Sequence, residues 1–227
     1  MDLNPIKTKS ITFSRSRTIF PEHPNLILGD TVIENVDTFK LLGVTFDSKL
    51  TFERHLRNVT SVVSQKVGIL RKCWQVYQDI ELVIKCFYAF ILPFFEYCSS
   101  VWMSAAPTHL NMIQRVYSLA RFIARSHLSL EHRRLVASLC LFFKIYNTPD
   151  HPMHSRLPPP TNAVRRTRRA RRMNSCALIS LLSPNTLQFN RSFLPHVIEA
   201  WNTLPQNLVD SISMDSFKRG VNRYLLS

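Results

Sequence analysis

The sequence predicts an α+β fold, in which a small N-terminal region of a β-hairpin and a strand is followed by a mostly α-helical bundle. Short apolar runs separated by turn residues fill positions 1–47, a pattern typical of strands. Apolar residues recur at helical spacing from 48 to 146. A basic linker rich in proline and arginine occupies 147–176, and a tail with short helices occupies 177–227. We therefore expect four parts with these boundaries.

The first part, residues 1–47, carries strand and turn signals. Ile11–Phe13 is a short strand candidate, and Asn25–Leu28 and Thr31–Val36 flank Gly29-Asp30, a dipeptide that favours a tight turn. Phe39–Phe46 is mostly apolar, which predicts a further strand. So small a β region cannot bury a core alone. We expect it to pack on the helices that follow, or on an N-terminal segment that the chain lacks.

The second part predicts four helices. Apolar residues recur every three or four positions from Phe52 to Trp74 and form one stripe. Asp79 is suited to cap the second helix, which Pro93 should end or kink. The third and fourth helices should begin near Pro107 and after Ser129. Helices in series with short connections favour an antiparallel bundle.

The last two parts differ in composition from the bundle. Prolines interrupt residues 147–160, and six of the eight residues from Arg165 to Arg172 are arginine. Such a stretch predicts a linker. In the tail, the pattern predicts two short helices, around Phe193–Trp201 and Met214–Leu225.

The charge balance favours a polyanionic partner. The chain has 29 Lys and Arg against 15 Asp and Glu, for a net charge of +14. A basic protein without such a partner has the same balance. The five cysteines are odd in number and include no C-x-x-C pair, which argues against a disulfide framework and a zinc site. We expect an intracellular protein with no metal site and no cofactor. No secretion signal or membrane span is apparent.

Several segments together resemble one family. D-L-N-P-I-K-T-K-S-I-T-F at Asp2–Phe13 and F-K-L-L-G-V-T-F-D at Phe39–Asp47 are similar to segments that follow the catalytic aspartates in the reverse transcriptases of non-LTR retrotransposons, closest to the jockey group. Further matches to the thumb and the C-terminal tail of that family lie at Phe52–Leu56, Lys66–Arg71, Leu141–Tyr146, Trp201–Pro205 and Phe217–Asn222. Their order along the chain is more specific than any one of them.

The resemblance implies the end of a polymerase palm and a primer-grip hairpin in residues 1–47, and a thumb-like or connection-like bundle in 48–146. Two-metal polymerases need clustered carboxylates to hold ions about 3.5–4 Å apart, but the eight aspartates include no adjacent pair. We therefore expect a non-catalytic fragment, not an enzyme, whose parent binds template and primer. Mg²⁺ would serve only the intact polymerase. The alternative is a retained helical module that binds protein or nucleic acid.

The candidate nucleic-acid-binding residues fall in three groups. Lys7 and Lys9 lie in the block where the family places a lysine beside the incoming triphosphate, although without the catalytic carboxylates a solvated lysine near a strand fits better. Leu42 and Gly43, with Lys40 beside them, resemble the primer grip; Gly43 would either admit a close sugar-phosphate or ease a strand bend. The remaining candidates are arginines: Arg15 and Arg17 on an extended segment, and Arg165, Arg166, Arg168, Arg169, Arg171 and Arg172 in the linker.

The arginine tract is the clearest signal of an acidic partner, because guanidinium groups pair bidentately with phosphates. It contains no aromatic residue on which bases would stack. We expect weak binding of RNA or DNA without sequence preference, no membrane partner, and polymerase domains supplied in trans. Basic tracts also serve as nuclear-import signals, so the nucleus is favoured over the cytoplasm.

Overall fold

A computed structural model describes residue 4, residues 7–14, 25–159, 178 and 187–226, and confirms the predicted α+β fold. The strands lie in the N-terminal part. β1 (Lys9–Ser10) pairs in parallel with β4 (Glu34–Asn35), β2 (Ile27–Leu28) pairs antiparallel with β3 (Thr31–Val32), and β5 (Thr38–Leu41) pairs antiparallel with β6 (Val44–Asp47). The predicted turn at Gly29-Asp30 joins β2 to β3.

The predicted strand at Ile11–Phe13 is instead an irregular segment that follows β1. The backbone hydrogen bonds on either side explain the difference. Val36 N–H donates to the carbonyl of Ser10 at 2.8 Å, and Ser14 N–H donates to the carbonyl of Ser48 at 2.9 Å. Between these two contacts the chain passes from β4 to the end of β6. Within the described residues, residues 11–13 therefore pair with no neighbouring strand.

The prediction of one strand over Phe39–Phe46 is wrong, whereas the hairpin implied by the family resemblance is present. β5 and β6 are joined by a two-residue turn at Leu42 and Gly43, with φ of 45° and 85°. Positive φ at both central positions is the signature of a type I′ turn, which matches the twist of paired strands. The sequence did not indicate this turn, because leucine is unusual at the first central position of a type I′ turn and Leu42 lies within an apolar run.

Six α-helices lie between the hairpin and residue 147. They are α1 (Glu53–Tyr77), α2 (Ile80–Cys86), α3 (Leu92–Glu96), α4 (Ser99–Trp102), α5 (Pro107–Ile123) and α6 (Leu130–Asn147). The predicted cap at Asp79 is present: its side chain accepts from the N–H groups of Glu81 and Leu82. The fourth predicted helix begins after Ser129 as expected, and the Ser129 hydroxyl accepts from the N–H of His132. Pro93 lies in the first turn of α3, after a π-helical turn over Phe87–Ile91.

The antiparallel arrangement is wrong for the main helix pair. α1 packs most extensively against α5, and contacts at both ends show that the two helices run in the same direction. His109 of α5 lies 3.6 Å from Glu53 at the start of α1, and Arg125, just after α5, lies over the ring of Trp74 near the end of α1. The segment α2–α4 carries the chain back along α1, so α5 starts again from the same end.

The interior forms two apolar clusters joined by α6. The first contains the stripe of α1 together with α2, α3 and α5, and Leu130 at the start of α6 belongs to it. The second begins at Val136 of α6 and includes the tail. The tail helices are α7 (Leu187–Arg191), α8 (Phe193–Thr203), α9 (Gln206–Val209) and α10 (Met214–Leu226). Of these, α8 and α10 match the two predicted helices.

A single carboxylate joins the hairpin to α1. Asp47, the last residue of β6, accepts hydrogen bonds at Oδ1 from the N–H groups of Lys49 (3.2 Å) and Thr51 (2.9 Å). Its Oδ2 accepts from the N–H of Phe52 at 2.7 Å and from the hydroxyl of Thr51 at 3.0 Å. Phe52 has a positive φ of 55°. Because the first amides of a helix have no partner within it, Asp47 both anchors this turn and begins α1.

His55 forms a second link between the same two elements. Its side chain is buried, and its Nδ1 accepts the N–H of Thr45 on β6 at 3.4 Å. Burial lowers the pKa of His55 below its ordinary value, and the nearby charge of Lys40 lowers it further. The hairpin is therefore held by the neutral form of the imidazole.

Replacement of Asp47 by alanine should lower the free energy of unfolding by about 2 kcal/mol, because four donors lose a charged acceptor. Urea denaturation measures the change. The control is Asp210→Ala, since Asp210 is exposed and accepts only from the amide of Gln206 among the hydrogen bonds described for it; it should cost a few tenths of a kcal/mol. Equal effects of the two variants would show that Asp47 does not anchor the turn between the hairpin and α1.

The free energy of unfolding should decrease as the pH is lowered through a window set by the pKa of His55. Above the unfolded-state pKa of about 6.5 both states carry neutral imidazole, and its contribution to stability is complete. Below it the unfolded state takes up a proton first, so the free energy of unfolding falls until the folded-state pKa is reached, by at most about 1.4 kcal/mol per pH unit. His55→Asn keeps an acceptor and should remove this component, whereas His127→Gln, an exposed control, should retain it. Identical pH profiles for His55→Asn and the wild type would contradict this role.

Candidate nucleic-acid interface

A cleft of about 440 Å³ lies between the β5–β6 hairpin, α1 and the α3 segment. The turn and β6 form one side, the exposed edge of the first three turns of α1 forms another, and α3 closes the third. The lining residues are Lys40, Gly43, Thr45, His55, Asn58, Val59, Val62, Pro93, Phe94 and Tyr97. Most of this surface is apolar, and none of these residues is a carboxylate.

The hairpin tip is fixed on the ring of Tyr97. The Tyr97 hydroxyl donates to the carbonyl of Leu42 at 2.7 Å. A Cβ on Gly43 would lie 3.4 Å from that ring, and its φ of 85° is one that other residues rarely adopt. Glycine is therefore required by the turn, whatever approaches the tip from solvent. The Leu42 side chain itself points outward and is 81% exposed.

Along the α1 side of the cleft, three side chains stand at one-turn spacing. Asn58, Val62 and Lys66 follow one another every four residues and so share one face. The ammonium group of Lys66 lies 5.0 Å from the centroid of the Phe94 ring, within cation–π range. Lys40 stands on the hairpin side. Within the described part of the chain, neither lysine forms a salt bridge. The neutral imidazole of His55 lies at the base.

The sequence-predicted residues are only partly brought together. Lys40, Leu42 and Gly43 share the hairpin. Lys9 lies on β1, where it is ion-paired with Glu34 of β4, and Lys7 lies exposed in the preceding turn. Neither lysine lines the cleft. Arg15, Arg17 and the six arginines of the linker lie outside the described residues.

Sequence reasoning missed Asn58 and Val62 of the lining, Lys66 beside it, and the aromatic residues Phe94 and Tyr97. The first three lie beside the apolar stripe of α1, so a helical projection of that stripe would have marked them as one exposed face. The two aromatic residues had no such signal, since only tertiary packing brings α3 against the hairpin. Two ammonium groups above aromatic and aliphatic side chains can bind a ligand that is both anionic and partly apolar.

Within the described residues, no three His, Cys, Asp or Glu side chains stand close enough to hold a metal ion. The helices described here are too short or too polar to cross a bilayer.

Comparison with known proteins finds relatives among the polymerases of mobile elements. The chain is 31% identical over 116 residues to the RNA-directed DNA polymerase from mobile element jockey of Drosophila melanogaster, covering 49% of this chain and 12% of the relative. It is 24% identical over 183 residues to the probable RNA-directed DNA polymerase from transposon X-element of the same organism, covering 76% of this chain and 20% of the relative.

A third relative, the probable RNA-directed DNA polymerase from transposon BS of Drosophila melanogaster, is 27% identical over 118 residues, half of this chain and 13% of the relative. No protein-family profile and no solved structure matches the chain. The chain thus spans between an eighth and a fifth of the length of these relatives. Its homologues are RNA-directed DNA polymerases of non-LTR retrotransposons, which confirms the resemblance over part of the chain.

Proposed function

We propose that the hairpin–helix cleft binds nucleic acid, as part of the surface that holds template and primer in a reverse-transcriptase-like protein. One observation carries the proposal. The hairpin whose sequence resembles a primer grip forms one side of a partly aromatic cleft whose lining includes Lys40 and no carboxylate, and the ammonium group of Lys66 lies beside that lining, over the ring of Phe94. The similarity to RNA-directed DNA polymerases supports RNA or DNA as the ligand.

The electrostatics favour binding of the phosphate backbone over reading of bases. A lysine ammonium is a compact charge on a flexible stem, whereas a guanidinium fork matches acceptor pairs on bases. Contacts of this kind release counterions, and the affinity they supply depends on salt and is indifferent to sequence. The net charge of +14 adds a long-range attraction of the same sign.

In this proposal, residues 1–47 correspond to the end of a palm with its primer grip, 48–146 to a thumb-like bundle, and the rest to the tail that follows. The first apolar cluster then supports the cleft from behind, while the second belongs to the tail. The arginine tract at 165–172 contributes a further phosphate-binding segment and favours a nuclear location. Polymerase domains supplied in trans act together with this part.

Replacement of Lys40 and Lys66 together by glutamine should weaken binding to any single strand or duplex. The plot of log affinity against log salt should also flatten, by up to about 0.9 units for each lost contact on duplex DNA. Fluorescence anisotropy with a labelled oligonucleotide at several salt concentrations measures both quantities. Glutamine removes the charge, and with it the contact of the Lys66 ammonium group with the Phe94 ring, but keeps a side chain of similar length.

The matched control is Lys85→Gln, because Lys85 is exposed on α2 beside Glu81 and outside the cleft lining. It should leave affinity and slope unchanged. A variant with the six linker arginines replaced by glutamine should also flatten the slope if that tract contributes. If only the arginine variant changes binding, the cleft is not the binding surface.

We also propose that the chain itself is not catalytic, since its eight aspartates include no adjacent pair. Purified protein should then incorporate no labelled nucleotide on a primed RNA template with Mg²⁺ or Mn²⁺. Template-dependent extension that survives repurification would overturn this part of the proposal and leave the binding proposal intact.

A further inference from the structure

We infer that the cleft holds an unpaired strand of nucleic acid by stacking its bases on an aromatic row. Phe94 and Tyr97 of the cleft lining form this row together with Phe90, which lies one turn before Phe94 and outside the lining. This inference rests on the proposed function and names the class of ligand that the cleft prefers. A single strand presents its base faces, whereas a duplex buries them except at its ends. The row would therefore distinguish the two.

The geometry of the α3 segment produces this row. The π-helical turn Phe87–Ile91 runs directly into α3, and Phe90 and Phe94 are one turn apart along it. Tyr97 follows three positions later, at the hairpin tip. Phe90 is 62% exposed, Phe94 37% and Tyr97 54%. Large aromatic side chains left exposed along one short segment mark a site of interaction more often than a bare surface.

The opposite face of the same segment shows that the exposure is selective. Phe87, Ile91, Leu92 and Phe95 are at most 4% exposed and belong to the first apolar cluster. The π turn brings the consecutive residues Ile91 and Leu92 into the core together. The packing requirements of the segment are thus met by one face, and the aromatic row is available on the other.

Charge decides which occupant fits. Lys66 lies over the Phe94 ring, Lys40 lines the other side of the cleft, and no lining residue is a carboxylate. A strand of nucleic acid supplies both a base to stack on the ring and a phosphate for each ammonium group. Stacking tolerates every base, because each has a π face. A peptide with an apolar face would leave the two ammonium groups without partners unless it were also acidic.

The test compares one single-stranded oligonucleotide containing 2-aminopurine with a blunt duplex of the same sequence. Phe90→Leu/Phe94→Leu keeps apolar bulk but removes two ring faces. It should weaken binding of the single strand about tenfold, the size expected when one base loses its stacking partner, and change binding of the duplex less than twofold. Quenching of 2-aminopurine fluorescence on binding should decrease in the same variant.

Two controls separate stacking from damage to the fold. Phe94→Tyr keeps an aromatic face and should keep single-strand affinity. Phe122→Leu removes an aromatic side chain that is 81% exposed near the end of α5, outside the cleft lining, and should change nothing. The urea midpoint of each variant should equal that of the wild type, since Phe90 and Phe94 lie outside the buried cluster.

The outcomes distinguish this inference from the function on which it rests. If the double leucine variant binds the single strand as tightly as the wild type, or weakens single strand and duplex equally, the stacking inference is overturned. The proposed function survives either result as long as Lys40→Gln/Lys66→Gln still weakens binding. If neither oligonucleotide binds the wild-type protein, both fail, and an acidic protein segment becomes the occupant to test.

Discussion

The structure depends on one joint, the turn at which Asp47 ends the hairpin and begins α1. Its carboxylate accepts the backbone amides of Lys49, Thr51 and Phe52 and so holds the turn in which Phe52 has a positive φ. His55, one turn later, ties back to β6 through the N–H of Thr45. Together these contacts set the angle between the two elements, and that angle creates the cleft. The apolar stripe of α1 is then free to pack against α2, α3 and α5.

The second cluster is connected through the start of α6. Arg133 is ion-paired with Glu96 at the end of α3, and the guanidinium of Arg134 lies 4.4 Å from the centroid of Trp102, where burial lowers its pKa to about 10. His132 is within 2.9 Å of Asn222 on α10. Three consecutive side chains thus contact both the first bundle and the tail, and one continuous helix holds the two clusters together.

The sequence predicted what local chemistry determines. The starts of α2 and α6 followed from Asp79, whose side chain caps α2 as expected, and from the position of Ser129, and the long stripe of α1 followed from its spacing. It did not predict the turn at Leu42 and Gly43, because an apolar run conceals a positive φ. Nor did it predict that α1 and α5 run in the same direction, since that depends on how α2–α4 return along α1. The cleft combines residues 55 positions apart, such as Leu42 and Tyr97, so only Lys40, Leu42 and Gly43 of its surroundings were named beforehand.

The cleft, the two lysines and the aromatic row give one account of function, in which a hairpin and a helix fixed at Asp47 hold a strand of nucleic acid between charge and π faces. Amide hydrogen exchange with and without a single-stranded oligonucleotide tests that account most directly. The account predicts slower exchange on binding in residues 40–45, 56–66 and 90–98, with the C-terminal half of α5 unchanged. Protection confined to the tail, with those three segments unaffected, would contradict it.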